Sequence, residues 1–129
     1  MPVVHEHMSR DLLSVNPGEA ITEVAQRMVE RNLGAVLVHD GERLVGIMTE
    51  RDLLKAVARG LPGDARVAQY MTADPETIAP DDTTQHAAVL MIHGGFRHLP
   101  VVERDGVVGI LSIRDLMRIT IEDSAPRGV

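Results

Sequence analysis

One short pattern occurs twice in this chain, 63 positions apart: glycine, two apolar residues, Thr or Ser, two further residues and Asp. The copies lie at residues 46–52 and 109–115, and a valine precedes each. The apolar half predicts the end of a buried strand, because aliphatic residues run together there. The polar half predicts the first turn of a helix, with the hydroxyl residue as N-cap and the acid three positions later. The chain must therefore carry a strand directly into a capped helix at two equivalent places.

The same order of elements surrounds both copies, since residues 8–57 overlay on 71–120 without a gap. In each half an extended segment precedes an amphipathic helix, two strands and the capped helix. The sequence therefore predicts an α/β (α+β) fold of two tandem β-α-β-β-α repeats. We place the repeats at 8–60 and 71–122, joined by a Gly- and Pro-containing linker at 61–70.

Length and composition limit the classes of protein. Each half of the 129 residues is too small to bury much surface alone, so we expect one shared core and a loose lead-in at 1–13. No apolar run approaches the roughly 20 residues that span a bilayer, and the N-terminus is unlike a signal peptide, so we expect a cytoplasmic protein. The absence of cysteine excludes disulfides and thiolate metal sites.

The charge pattern argues against nucleic-acid binding. The net charge is −6, with acids and bases interspersed, and Tyr70 and Phe96 are the only aromatic residues. A nucleic-acid protein would need a basic face and, for single strands, a stacking platform. A small anionic ligand remains compatible, because it needs only a few local donors.

The paired hydroxyl and carboxylate have two interpretations. Ser or Thr three positions before an acid stabilises a helix start by about 0.5–2 kcal/mol without any ligand. The same groups suit a ligand, because a carboxylate binds a cis-diol and the helix N-terminal N–H groups bind a phosphate. The two interpretations are compatible.

At these residues the sequence resembles a tandem pair of cystathionine-β-synthase-type (CBS) domains, a Bateman module. The resemblance covers residues 8–121, and because these leave little of the 129 residues over, we expect the stand-alone kind of module rather than one fused to an enzyme domain. It depends on residues 14–17 and 77–80, 34–38 and 97–102, and both Gly-to-Asp segments.

The resemblance implies two clefts between repeats related by pseudo-twofold symmetry, each for an adenosine-containing ligand. AMP, ADP or ATP is expected, with S-adenosylmethionine or NAD as alternatives, and no cofactor is required. Cleft one would use Ala35, Thr49, Arg51, Asp52, Thr77 and Ile78. Cleft two would use Arg97, His98, Ser112, Arg114, Asp115, Ser14 and Val15. The resemblance also implies a homodimer formed through the Leu53/Val57 and Leu116/Met117 helix faces.

The two clefts are unequal, because Arg97 and His98 stand where the first repeat has Gly34 and Ala35. Two potential cations favour a phosphate, so cleft two is expected to bind nucleotide more tightly. Arg97 is equally compatible with a solvated helix-end cation, and Arg51 and Arg114 with surface partners for acids.

We expect a non-enzymatic regulatory module that senses nucleotide and signals to a partner protein. The alternative is a protein-interaction scaffold with vestigial clefts. A hydrolase or metalloenzyme is least supported, because His86 and His93 lack a third ligand with sensible spacing and the His5-Glu6-His7 run is typical of a solvated terminus.

Overall fold

Both halves of the chain contain the predicted order of helices and strands. The computed structural model describes residues 1–61, 63–104 and 106–124. The first half has β1 (Ser14–Val15), α1 (Ile21–Arg31), β2 (Ala35–Asp40), β3 (Arg43–Thr49) and α2 (Glu50–Ala58). Next come α3 (Val67–Tyr70), β4 (Thr72–Ala73), α4 (Thr84–Gly94), β5 (His98–Glu103), β6 (Gly106–Ser112) and α5 (Ile113–Ser124). A mixed α/β fold of two repeats is thereby confirmed.

The strand pairing repeats as well. The first sheet has the order β1-β2-β3-β4, in which β1 is parallel to β2 and the other neighbours are antiparallel. In the second half β5 pairs with β6, while Ile78 bridges Val101 and Ser9 bridges Ile110. These two bridges occupy the places that β1 and β4 hold in the first sheet.

The chain divides into two compact units whose limits differ from those of the sequence repeats. The first unit is Leu12–Pro75, and the second combines Met1–Asp11 with the chain from Glu76 onward. Each unit therefore contains one repeat and a short arm that precedes the other repeat in sequence. We call residues 1–11 the N-terminal arm and residues 65–75 the central arm.

Backbone hydrogen bonds hold each arm in its unit. In the second unit the Val4 N–H donates to the Asp82 carbonyl at 2.9 Å, and Ser9 and Ile110 exchange bonds of 2.9 and 3.0 Å. In the first unit the Val67 N–H donates to the Glu19 carbonyl at 3.0 Å. Val4 and Val67 are fully buried. The expectation of a loose lead-in at 1–13 is therefore wrong, and the segment assigned to the linker contains helix α3.

Each unit has its own hydrophobic core, so the expectation of one shared core is wrong. The first core includes Ile21, Val24, Val36, Val38, Met48 and Val67. The second core includes Val4, Ala87, Met91, Leu99, Val101 and Leu111. In both units the arm supplies a valine to the core, which adds apolar burial to a domain of marginal size.

The repeated glycines are explained by these arms. A Cβ on Gly46 would lie 3.0 Å from the Thr72 carbonyl oxygen, and a Cβ on Gly109 would lie 3.0 Å from the Ser9 carbonyl oxygen. The sulfur atoms of Met71 and Met8 would lie closer still. Glycine is needed in β3 and β6 because the backbone of an arm, running antiparallel to each strand, approaches closely at that position.

Candidate functional site

Both predicted capping boxes form. Thr49 is the N-cap of α2: its Oγ1 accepts from the Asp52 N–H at 3.3 Å, and its own N–H donates to Asp52 Oδ2 at 2.9 Å. At α5 the Ser112 N–H donates to Asp115 Oδ2 at 2.8 Å, and Ser112 Oγ accepts from the Asp115 N–H at 3.2 Å. The two strand-to-helix junctions are therefore built alike.

Capping occupies one oxygen of each carboxylate. Oδ2 of Asp52 also accepts from the Thr49 hydroxyl at 3.1 Å, and Oδ2 of Asp115 from the Ser112 hydroxyl at 3.0 Å. Among the described residues, Oδ1 of Asp52 receives the Thr72 hydroxyl at 3.4 Å, while Oδ1 of Asp115 receives Arg118 Nη1 at 3.3 Å. A carboxylate offers about four lone-pair positions. Each Asp therefore keeps acceptor capacity at Oδ1 although it is 8% or 9% exposed.

Three hydroxyls share one face of the first sheet, because directly paired residues point to the same side. Thr49 pairs with Ala35, Ser14 with Leu37, Leu37 with Ile47, and Ile47 with Thr72. We call Ser14, Ala35, Thr49 and Thr72 the first hydroxyl face. The Asp52 carboxylate contacts two of its hydroxyls, those of Thr49 and Thr72.

The second unit presents the equivalent set. Ser112 pairs with His98, Pro100 with Ile110, and Ile110 with Ser9. Thr77 precedes the buried Ile78 and so lies on the side of its extended segment that faces away from the core. We call Ser9, Thr77, His98 and Ser112 the second hydroxyl face, beside the Asp115 carboxylate.

Most of the site residues predicted from the sequence form two groups, and each group belongs to one unit. Ser14, Ala35, Thr49 and Asp52 belong to the first unit, and Thr77, His98, Ser112 and Asp115 to the second. Arg97 adjoins the second set, because its carbonyl accepts from the Ile113 N–H at 2.8 Å. Arg51 and Arg114 are exposed in the first turns of α2 and α5.

Val15 and Ile78 are core residues, at 3% and 5% exposure. Both backbone groups of Ile78 are also engaged, the N–H with Pro100 and the carbonyl with Val102. A polar role for these two side chains is therefore excluded. The assignment of either to a ligand stays a prediction, as does the grouping of residues from both repeats into clefts.

Sequence reasoning missed four residues at these places: Ser9, Thr72, Arg118 and His39. His39 Nδ1 lies 2.6 Å from the Ser14 hydroxyl. Ser9 and Thr72 occupy equivalent repeat positions and both carry a hydroxyl, so the overlay of the two halves contained a signal for them. The overlay also places the basic Lys55 opposite Arg118, whereas His39 has Val102 as its counterpart and no such signal.

Other polar features lie away from the two faces. The His86 ring lies 2.7 Å from Asp82 Oδ2, and this hydrogen bond, followed by one from the Thr83 N–H, holds the pKa of Asp82 below its ordinary value. The second unit has a groove of about 530 Å³ lined by Arg10, Asp81 and Glu103 among others, and by none of the predicted site residues. The described residues include no group of three potential metal ligands and no helix that is long and apolar enough to span a membrane.

The fold and the two strand-to-helix junctions together define a class of protein. It has duplicated α/β repeats, and the last helix of each repeat begins with a hydroxyl residue and a buried aspartate. The chain matches the family model of the CBS domain at residues 4–59 and again at 67–122. It therefore belongs to the CBS domain family, as a tandem pair, and the resemblance stated from the sequence is confirmed.

Relatives and solved structures agree with this assignment. An uncharacterized 17.7 kDa protein of Acidianus ambivalens is 43% identical over 84% of this chain and 66% of its own length. A CBS domain protein of Pyrobaculum aerophilum, solved with AMP, is 31% identical, with a TM-score of 0.83 over 93% of this chain and 96% of that one. The CBS domain pair of protein MJ0100, solved with 5'-methylthioadenosine and S-adenosyl-L-methionine, is 25% identical, with a TM-score of 0.89 over 96% and 99% of the two chains.

The chain is shorter than some of its relatives. It spans 66% of the Acidianus ambivalens protein and 61% of a Methanopyrus kandleri protein that is 33% identical.

Proposed function

We propose that this chain is a regulatory module that binds an adenosine-containing ligand at the two hydroxyl faces. The observation that carries the proposal is the unused capacity of Asp52 and Asp115. Each carboxylate holds its helix start through Oδ2, and Oδ1, which receives Thr72 in Asp52 and Arg118 in Asp115, keeps acceptor capacity. A ligand can therefore bind at Oδ1 without breaking the helix cap.

Adenosine chemistry fits these groups. The ribose carries two adjacent hydroxyls, and a buried carboxylate is the side chain that dinucleotide-binding folds use for such a diol. The helix N-termini that begin at Glu50 and Ile113 favour an anionic group. AMP and S-adenosyl-L-methionine in solved CBS-pair structures support the same class of ligand. AMP, ADP or ATP is our first choice, and the second hydroxyl face is the tighter site because Arg97 and His98 adjoin it.

We propose regulation rather than catalysis. A bound ligand shifts a conformational equilibrium only by the difference between its affinities for the two conformations. The module therefore signals if one conformation binds the ligand's ribose and phosphate more tightly than the other conformation does. A partner protein reads the result, and no nucleic acid or membrane is required.

Isosteric variants of the two aspartates test the proposal. Asp115→Asn and Asp52→Asn keep an oxygen that can accept the capping N–H bonds, but they replace one acceptor oxygen by an NH₂ donor. At a concentration one hundred times its Kd, AMP or ATP should stabilise the wild-type protein by about 2.7 kcal/mol, which raises Tm by about 10 °C for a chain of this length. We expect Asp115→Asn to lose most of this shift and Asp52→Asn to lose less.

Calorimetric titrations with AMP, ATP and S-adenosylmethionine check these affinities. If both Asn variants bind these compounds as tightly as the wild type does, the two carboxylates are not part of the binding site. Binding of none of these compounds to the wild-type protein would contradict the proposal and favour the scaffold alternative.

A homodimer is a second proposal, supported by apolar side chains that the helices leave exposed. In the first unit Leu54 and Val57 are 69% and 64% exposed, and in the second unit Met117 is 57% exposed. Leu53 and Leu116, which the sequence assigned to the same faces, instead pack against the cores. We expect a dimer mass in light scattering and its reduction to one chain by Leu54→Glu or Met117→Glu. A monomeric wild-type protein would contradict this proposal.

A further inference from the structure

The two buried aspartates differ in what contacts their second oxygen. Asp52 Oδ1 receives the neutral Thr72 hydroxyl, whereas Asp115 Oδ1 receives the Arg118 guanidinium. Ser9, the counterpart of Thr72, accepts a bond from the Asp11 N–H instead. Lys55, the counterpart of Arg118, makes no ion pair with Asp52 in the described part of the chain. Within residues 1–61, 63–104 and 106–124, a cation therefore contacts Asp115 but not Asp52.

This difference changes which ligand groups each carboxylate can accept. The Thr72 contact is long, at 3.4 Å to both oxygens, and its hydroxyl can rotate to leave Oδ1 to a sugar hydroxyl. At Asp115 a sugar hydroxyl must compete with a charged donor, which binds a carboxylate more strongly. A neutral ligand is therefore disfavoured at the second site relative to the first.

Arg118 has the opposite effect on an anionic ligand. A phosphate near Asp115 would be repelled by the carboxylate, and a cation beside that carboxylate offsets the repulsion. Arg118 contacts Asp115 through Nη1, its side chain is 64% exposed, and its remaining N–H groups can bind phosphate oxygens. Arg97 is an exposed second cation where the first unit has Gly34, and its carbonyl accepts from the Ile113 N–H at the start of α5.

We propose that Arg118 selects for phosphate at the second hydroxyl face, so that this site prefers nucleotides while the first hydroxyl face accepts phosphate-free adenosine compounds. The inference rests on the proposed function. It adds a preference for each site and names the residue that sets it.

Site-resolved NMR titrations separate the two sites in the full chain. Amide shifts of Ser112 and Asp115 report the second site, and those of Thr49 and Asp52 the first. AMP and adenosine are the probes, because they differ by the phosphate alone. In Arg118→Gln we expect the preference for AMP over adenosine at the second site to fall about two- to fivefold, a range that reflects the exposure of Arg118.

Two further variants serve as controls. Lys55→Gln removes the matched cation of the first unit and should leave both preferences unchanged. Arg118→Lys keeps the charge and should restore part of the AMP preference, which a merely structural role of Arg118 would not produce. Because Arg118 is exposed, Arg118→Gln should keep the wild-type fold, as unperturbed amide shifts of the second core, at Leu99 and Val101, would show.

The possible outcomes distinguish a failure of the Arg118 inference from a failure of the adenosine-binding proposal. Equal loss of AMP and adenosine affinity in Arg118→Gln, or no change in either, overturns the role of Arg118 alone. Failure of both probes to move any of the four amides in the wild-type protein overturns the adenosine-binding proposal as well.

Discussion

At the scale of single residues, Asp52 and Asp115 show that capping a helix and binding a ligand are compatible roles. The two interpretations inferred from the sequence differed in whether the carboxylate caps the helix or binds a ligand. The structure gives one oxygen to the cap, while the other contacts the Thr72 hydroxyl in Asp52 and the Arg118 guanidinium in Asp115. A buried carboxylate without the cap bonds would be costly, because an ionised group needs hydrogen-bond partners when it leaves water. The cap therefore keeps a charged acceptor stable at the sheet face.

Asp82 provides a pH-dependent test at the same scale. Its hydrogen bond with His86 and the Thr83 N–H holds its pKa below the ordinary value, so the folded protein favours the ionised form. A depressed carboxyl pKa contributes stability above the unfolded-state pKa, and that contribution is lost as the pH falls through the folded-state pKa. We expect wild type to exceed Asp82→Asn in free energy of unfolding at pH 6, and the difference to vanish between about pH 4 and pH 2.

Urea denaturation at several pH values measures this difference. Asn keeps an oxygen for the Thr83 N–H, so the comparison isolates the charge and the His86 bond. A gap between the two proteins that stays constant from pH 6 to pH 3 would contradict the assignment.

At the scale of elements, the sequence predicts what is encoded locally. The end of α1 follows from Asn32, which adopts the left-handed conformation at φ 54° that an Asn–Leu–Gly segment favours. The starts of α2 and α5 follow from the spacing of Thr49 and Asp52 and of Ser112 and Asp115. Helix α3 was missed because its four residues are too few to show a 3.6-residue period.

Packing also decides which helix faces are covered, and the sequence predicts this less well. Leu53 and Leu54 are adjacent in α2, yet the first packs on the core and the second is exposed. Leu53, which the sequence assigned to a dimer face, therefore lies on the core side of α2, and the exposed Leu54 lies about 100° further around the helix. An apolar stripe indicates a buried face, but its exact edge depends on the neighbouring elements.

At the scale of the whole molecule, the arms are what sequence patterns could not locate. The duplication predicted both repeats, but an overlay of the halves does not show which repeat an arm joins, because that depends on contacts between residues distant in sequence. Val4 lies far along the chain from its hydrogen-bond partner Asp82. Part of each hydroxyl face, Ser9 or Thr72, comes with an arm, so the sites were predicted only in part.

The arms therefore predict which unit each of two equivalent valines stabilises. Val4→Ala should destabilise the second unit and Val67→Ala the first, each by about 2 kcal/mol from two lost methyl groups and the resulting cavity. In native-state hydrogen exchange this corresponds to about thirtyfold faster opening. The amides of Leu99 and Leu111 should respond to Val4→Ala, and those of Val36 and Met48 to Val67→Ala.

Val29→Ala, at a valine that is 81% exposed, is the control and should leave both sets unchanged. Faster exchange of the first unit in Val4→Ala, with the second unit unaffected, would show that each arm stabilises its own neighbouring repeat instead.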